Sequence, residues 1–238
     1  MVKVWKLGLI SYDTAYKIQS SIARMHLNSM KNGVNGDYDT LLFVEHKPVY
    51  TVGIRDETAK EDIMRLQQLG AEFRKTNRGG LITFHGPGQL VAYPIINLKN
   101  FKTSVRWYVD RLEETVIKIC DELGIKANRS PDTGVWVEDN KIAAIGIHAS
   151  RYVTTHGISL NCDNDLTWFK HIDPCGIKDK GVTSLTNETG VICTTNNMMP
   201  IFLKHFEQVF DCKTEEFDTD LQKKILDGLY NKIMIDAM

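Results

Sequence analysis

Arg78-Gly79-Gly80-Leu81-Ile82-Thr83-Phe84-His85-Gly86-Pro87-Gly88-Gln89 is the segment from which the rest of the chain is read. Four glycines and one proline fall within it, around one imidazole, one guanidinium and one amide. Glycine leaves backbone N–H groups bare and lets another molecule approach closely, and proline fixes one bend. An apolar run, Leu90 to Leu98, follows at once. A rigid glycine loop set against a buried strand suits ligand binding. The same composition also fits a connection that merely joins two strands.

Outward from this loop, hydrophobic periodicity marks the elements. Residues 2–10 read as a strand, and residues 12–31 as a helix with Ala15, Ile18, Ile22 and Met25 at helical spacing. Leu41 to Glu45 and Pro48 to Val52 are extended, Thr58 to Leu69 is a short helix, and Ala71 to Thr76 leads into the loop. Leu90 to Asn97 reads as a strand that Pro94 assigns to an edge or a bulge. Ser104 caps the clearest helix, whose buried stripe reads Val105, Tyr108, Leu112, Val116, Ile119 and Leu123. Val135 to Val137 and Ile142 to Ile147 flank the turn Glu138-Asp139-Asn140 as a hairpin. His156 to Asn161 is a further strand, and Asn197 to Phe210 and Thr219 to Ile235 are terminal helices. Strands and helices mix without regular alternation. That predicts an α/β chain of the α+β type, a mixed β-sheet flanked by helices rather than a doubly wound parallel sheet.

The 238 residues fit a single domain, 1–238, and 42% hydrophobic with 25% charged residues predicts a packed core. With 29 basic and 30 acidic residues, no strong field for nucleic acid or an anionic membrane is expected. Lys99, Lys102 and Arg106 form a local basic patch, read either as a solvated face or as a surface for an acidic carrier protein. No apolar run reaches the length of a membrane span. The N-terminus lacks the regions of a secretory signal. Tyr16 to Lys31 is basic and amphipathic, and reads as a core-packing helix before a presequence.

Five cysteines occur, Cys120, Cys162, Cys175, Cys193 and Cys212, with no Cys-x-x-Cys pair. This excludes a zinc ribbon and a dithiol redox site, and points to a reducing compartment. His46, His148, His156 and His171 lack metal-ligand spacing, so no metal is expected. Cys175 stands between Pro174 and Gly176, a setting that favours an accessible sulfur and that the other cysteines lack.

The quoted loop resembles the signature of the lipoyl/octanoyl transferase family. The resemblance continues through Gly134-Val135-Trp136-Val137, Lys141-Ile142-Ala143-Ala144-Ile145-Gly146, His156-Gly157-Ile158-Ser159-Leu160-Asn161 and Asp173-Pro174-Cys175-Gly176. These segments occur in the family's order and cover about residues 4–190, leaving a helical tail at about 197–238. Asp165-Leu166-Thr167-Trp168-Phe169 ahead of Pro174-Cys175-Gly176 is similar to the animal, mitochondrial branch; a bacterial source would make the chain cytoplasmic.

The resemblance implies the biotin/lipoate protein ligase-like fold. It also implies transfer of an octanoyl or lipoyl group from an acyl carrier protein thioester to a lysine of a lipoyl domain. Cys175 would be the acyl-carrying nucleophile and Lys141 the cation that favours its thiolate. From spacing alone Lys141 fits a surface lysine equally well. The substrate site would comprise Arg78, Gly79, Gly80, Leu81, Ile82, Thr83, Phe84 and His85, then Ala144, Ile145 and Gly146, then Gly157, Ile158 and Ser159. His85 reads either as a proton-transfer group or as a satisfied structural histidine. Filling the space at Gly146 with valine is expected to hurt octanoyl donors more than shorter ones. Partners implied are octanoyl-acyl carrier protein and the lipoyl domains of 2-oxoacid dehydrogenase subunits and glycine cleavage H protein. Thioester aminolysis runs downhill, so neither ATP nor another cofactor is expected. The alternatives are an ATP-dependent lipoate–protein ligase of the same fold and a non-catalytic module that binds lipoyl domains.

Overall fold

The computed structural model describes residues 1–34, 36–55, 57–172 and 180–236, the last seven of these as backbone only. Strand β1 (Val2–Ile10) leads into helix α1 (Tyr12–Lys31), followed by β2 (Thr40–His46) and β3 (Val49–Val52). Helix α2 (Lys60–Gln68), β4 (Glu72–Lys75), β5 (Thr83–His85) and β6 (Gln89–Ile95) come next. After helix α3 (Val105–Glu122) lie β7 (Asn128–Arg129), β8 (Val135–Val137), β9 (Asn140–Ser150) and β10 (Val153–Asn161). The chain closes with β11 (Gly181–Val182), α4 (Leu185–Thr189), α5 (Thr195–Phe210), β12 (Thr214–Glu216) and α6 (Thr219–Asp236).

The main sheet runs β12-β1-β2-β6-β10-β9-β8-β7, with β11 also paired to β9, and a small sheet runs β4-β3-β5. Pairings β12–β1, β1–β2 and β9–β11 are parallel; β2–β6, β6–β10, β9–β10 and β8–β9 are antiparallel. This is the mixed sheet expected. Successive side chains of a strand face opposite ways, so Leu41 and Phe43 of β2 join one core cluster while Leu42 and Val44 join another. α3 and α5 cover the first face, and α1 and α6 cover the second. A third cluster, built on Tyr50, Leu66, Phe84 and Phe169, lies under the small sheet.

Ser11 accepts from Thr14 N (3.2 Å) to cap α1, and Ser104 accepts from Trp107 N (3.2 Å) to cap α3, as its sequence signalled. The α3 stripe begins one turn later than expected. Val105 is the first helical residue and is 45% exposed, whereas Tyr108, Leu112, Val116 and Ile119 are fully buried. Helix α5 is no peripheral tail. Met198, Met199, Phe202, Phe206 and Phe210 belong to the largest core cluster, and Phe206 stacks on Phe210 with centroids 4.3 Å apart.

Pro94 corrects the reading of β6 as an edge strand. β6 lies inside the sheet, between β2 and β10. Its ladder with β10 runs from Gln89 to Ala92, and the pairing resumes at the single bridge Asn97–Val153. Pro94 stands in the gap, where its missing N–H costs no bond. Its carbonyl accepts instead from the hydroxyls of Thr154 (2.8 Å) and Tyr108 (3.2 Å). On β10, His156 takes a left-handed backbone (φ 59°) and donates its amide to Gln19 Oε1 (2.8 Å). The proline is therefore accommodated by an irregularity in its neighbour, the other outcome that its sequence allowed.

Truncating a fully buried aromatic removes its transfer energy and leaves a cavity, together about 3–5 kcal/mol. Phe206→Ala is expected to lower unfolding free energy by about that much in urea titration. A loss below about 1 kcal/mol would show that α5 is not part of the core it packs on.

Candidate active site

The three segments singled out in the sequence meet on one cavity of about 230 Å3. Its walls include Arg78, Gly80, Leu81, Ile82, Thr83 and His85 from the glycine loop and β5, Lys141, Ala144, Ile145 and Gly146 from β9, and Gly157, Ile158 and Ser159 from β10. β9 and β10 are adjacent antiparallel strands in which Gly146 faces Gly157, Ile145 faces Ile158 and Ala144 faces Ser159. Pairing across the sheet thus joins residues that are distant in the chain. Of the residues expected at the site, Gly79 and Phe84 stand outside this lining. Thr83 and His85 point one way along β5 and Phe84 the other, where Phe84 stacks flat on Trp168 (5.0 Å, 5°). Gly79 works through its backbone, donating to Ile147 O (3.0 Å) and tying the loop to β9. Cys175 lies outside the described residues.

Lys141 is 5% exposed. The β8–β9 register slips by one residue between Val135 and Trp136, beside Lys141, and such bulges re-aim side chains. The Lys141 ammonium donates to Thr133 O (3.1 Å) and lies 4.6 Å from the centre of the Trp136 ring. Cations favour the electron-rich face of tryptophan. Lys180, which pairs with Asp132 at 3.3 Å, lies 4.5 Å from the same ring. Gly134 (φ 129°) packs on the lysine stem: a Cβ there would stand 2.6 Å from Ala143 O and 3.3 Å from Lys141 Cε. Burial and packing therefore exclude the surface-lysine reading.

Arg78 is 6% exposed and braces the loop from within. Its Nη1 donates to Gly79 O (2.9 Å) and Leu81 O (3.1 Å), and its Nη2 to Thr51 O (2.6 Å) and Thr51 Oγ1 (2.8 Å). A Cβ on Gly146 would fall 2.8 Å from Arg78 Cδ and 3.0 Å from Gly79 O. A valine there displaces the brace, so it should impair every chain length alike. Loss of the brace thus competes with the chain-length effect expected at that position.

His85 is a saturated link in a polar chain. The bond to Gln89 Oε1 (2.7 Å) places a proton on Nδ1, and Nε2 accepts from the Thr51 hydroxyl (3.4 Å). Gln89 Nε2 donates to Asn161 Oδ1 (2.9 Å), and Asn161 Nδ2 donates to Thr183 O (2.9 Å). Burial, then the competing charge of His46, holds His85 down at about 3. Burial keeps His46 at about 4, with its Nε2 accepting from the Tyr93 hydroxyl (2.8 Å). His156 is held at about 3 by burial and then by Arg78; its Nε2 donates to Asn77 Oδ1 (2.7 Å). All three imidazoles are neutral at pH 7, which favours the structural reading of His85 over a proton-transfer role. Three of the described cysteines, Cys120, Cys162 and Cys212, also sit away from thiolate chemistry. Burial pushes Cys120 up to about 12 and Cys212 up to about 11, and raises Cys162 well above its ordinary range.

Tyr12, Tyr93, Gln89, Asp132, Thr133, Asn161, Phe169 and Val182 also line the cavity and escaped the site reading. Gln89, Asn161 and Phe169 lay within the quoted motifs. Tyr12 and Tyr93 arrive from α1 and β6 with no local signal, because only sheet packing brings them there.

The described chain has a cavity walled largely by small and apolar residues, with a buried amine and two neutral imidazoles, His85 and His156, in its lining. That architecture has a class. Residues 14–207 match the model of the lipoyl protein ligase A/B catalytic domain, and the chain belongs to that family. Within it, the chain is 56% identical over 212 residues to the mitochondrial octanoyl-acyl-carrier-protein:protein N-octanoyltransferase of Danio rerio, covering 89% of this chain and 93% of that one. It is 49% identical to the protein of the same name from Xenopus tropicalis, covering 87% of each chain. Among solved structures it is similar to a lipoate-protein ligase A bound with ATP, with a TM-score of 0.69 at 14% identity, covering 97% of this chain and 94% of that one. This last likeness establishes the fold, which is the one expected.

Neutral buried histidines make stability depend on pH. Their folded values, about 4, 3 and 3, lie below the ordinary imidazole value of 6.5, so the unfolded chain takes up protons first. Their contribution is complete above about pH 6.5 and is lost as pH falls toward 4, at about 1.4 kcal/mol per pH unit per histidine. His46→Gln is expected to reduce the slope of unfolding free energy against pH by about one proton between pH 6 and 4.5. An unchanged slope would show that His46 is already charged in the folded protein.

Proposed function

We propose that this chain is an acyltransferase that moves an octanoyl group from acyl carrier protein to a lysine of a lipoyl domain. The observation that carries the reading is the buried Lys141 amine at one end of a cavity walled by small and apolar residues. An alkyl chain makes few hydrogen bonds, and such walls suit it. The two octanoyltransferases at 56% and 49% identity support the same activity, and both are named as mitochondrial, which supports that location.

In this reading the Cys175 thiolate attacks the carrier thioester carbonyl. The carbon–sulfur bond to the carrier breaks, the carrier thiol leaves, and an octanoyl-cysteine thioester remains. The lipoyl-domain lysine then attacks that carbonyl through its neutral amine. A carbon–nitrogen bond forms, the Cys175 sulfur leaves as thiolate, and the amine loses a proton. Lys141 stabilises the thiolate by its charge and passes protons to the leaving carrier thiol and from the incoming amine. Two features support this pairing although Cys175 lies outside the described residues. Phe169, shortly before it, and Val182, shortly after it, both line the cavity. Lys180 shares the Trp136 ring with Lys141, so the chain re-enters the described structure beside the lysine. Both steps exchange acyl groups without activation by ATP. The acceptors are lipoyl domains of 2-oxoacid dehydrogenase subunits and glycine cleavage H protein.

Incubation with octanoyl carrier protein is expected to add one octanoyl mass to the Cys175 peptide, and Cys175→Ser is expected to abolish both adduct and transfer. Activity that needs free octanoate with ATP, and no thioester donor, would establish the ligase reading instead. Lys141→Ala is expected to raise the pH midpoint of Cys175 alkylation, each unit corresponding to about 1.4 kcal/mol of lost thiolate stabilisation. Lys141→Arg should keep part of that effect but little turnover, because guanidinium does not release a proton near pH 7. An alkylation midpoint unmoved by Lys141→Ala would separate the two side chains in the free enzyme.

A further inference from the structure

A second cavity, about 240 Å3 against about 230 Å3 for the first, lies behind the wall opposite Lys141. Tyr16, Leu27, Asn77 and Val153 are among its lining. The first cavity ends on Tyr12 and His156. The His156 ring lines the first cavity and contacts two residues that line the second, Asn77 and Tyr16. Its Nε2 donates to Asn77 Oδ1 at 2.7 Å, its face stacks on Tyr16 with centroids 5.6 Å apart, and its Nδ1 accepts from the Tyr12 hydroxyl at 3.4 Å. The imidazole, backed by Tyr16 and Asn77, therefore stands between the two spaces.

Lys141 and His156 stand apart along the strands that floor the first cavity. Lys141 lies at the start of β9, and Ile147, farther along β9, faces His156 on β10. The backbone of His156 is left-handed at φ 59°, a conformation that L side chains avoid and that glycine adopts freely. It is held there because its amide turns to Gln19 Oε1 at 2.8 Å, opposite the gap that Pro94 leaves in β6. A glycine would suit this backbone better, yet the position carries a ring with both nitrogens engaged by neighbours. The ring has a use as a barrier.

We propose that His156 sets the length of the acyl chain the protein accepts, by closing the first cavity off from the second. The proposal rests on the reading that an acyl chain lies in the first cavity with its carbonyl end at Lys141. A chain of eight carbons ends before the barrier. A longer chain must displace a ring fixed by three contacts. Removing the ring takes away the side chain that separates the first cavity from the Tyr16 and Asn77 lining of the second.

The test compares octanoyl and dodecanoyl carrier proteins as donors, and octanoate and dodecanoate as ligands by calorimetry. Wild type is expected to favour the eight-carbon donor. His156→Gly, whose backbone is compatible with φ 59°, is expected to raise the dodecanoyl-to-octanoyl ratio of kcat/KM at least tenfold, with a parallel rise in the affinity ratio of the free acids. His156→Asn, which tolerates a left-handed backbone and retains a polar group toward Asn77, is expected to stay selective for eight carbons. Should His156→Gly fail to fold, Tyr16→Ala opens the same wall from the second cavity and must move both ratios in the same direction. A folded His156→Gly protein with unchanged ratios overturns the barrier, and if wild type still transfers octanoyl groups the proposed activity stands. Equal losses with both chain lengths also overturn it, as a merely structural role. Absence of transfer by wild type, with the affinity ratio still shifted in the variant, overturns the activity and leaves the barrier.

Discussion

Arg78 is a cation inside the protein, and much of the site follows from keeping it there. A buried charge is tolerated only when its donors are met. The guanidinium meets Thr51 in the small sheet and the carbonyls of Gly79 and Leu81 in its own loop. Gly79 N then reaches Ile147 O in β9. One side chain thereby fixes the glycine loop between two sheets. The glycines around it answer to the same packing. A Cβ at Gly53 would run into Gly80 O, and one at Gly146 would run into Arg78 itself. Within the loop, Gly80 and Gly88 take left-handed backbones, and a Cβ at Gly86 would run into the Phe84 ring.

The polar chain that starts at Thr51 extends this constraint to the other side of the cavity. His85, Gln89 and Asn161 hand hydrogen bonds onward to the Thr183 carbonyl, and Thr183 N donates to Lys141 O. The strand β11 is thus held against the base of Lys141 by groups that begin at Arg78. Satisfied networks of this kind rigidify a site, whereas one missing member leaves a buried polar group unpaired. The imidazoles in and beside the chain are neutral for the same reason: burial opposes a second charge next to Arg78. Proton traffic in the proposed reaction therefore falls to Lys141.

The fold was legible wherever a local pattern dictates burial. The spacing of Ala15, Ile18 and Ile22 specifies α1, and the apolar run from Leu41 marks the strand β2. Errors came where a distant neighbour overrides a local rule. Pro94 argues for an edge, yet it lies inside the sheet because His156 bends away from it. Val105 continues the periodicity of α3 but, as the first helical residue, is left exposed.

The sequence by itself determined the mixed α/β class, the three motif segments and the family they resemble, because these are properties of residue order and periodicity. Tertiary structure decided what those residues do. It showed Lys141 buried on Trp136, where spacing alone fits a surface lysine equally well. It set His85 in a filled hydrogen-bond chain, and it set Gly146, a wall of the cavity, against Arg78 as well. It brought Tyr12 from α1 and Tyr93 from β6 to the cavity, and it set His156 between two cavities. The physical reason is common to all of these. Burial, hydrogen-bond saturation and free volume belong to pairs of residues that meet only when β9, β10 and the glycine loop are packed together.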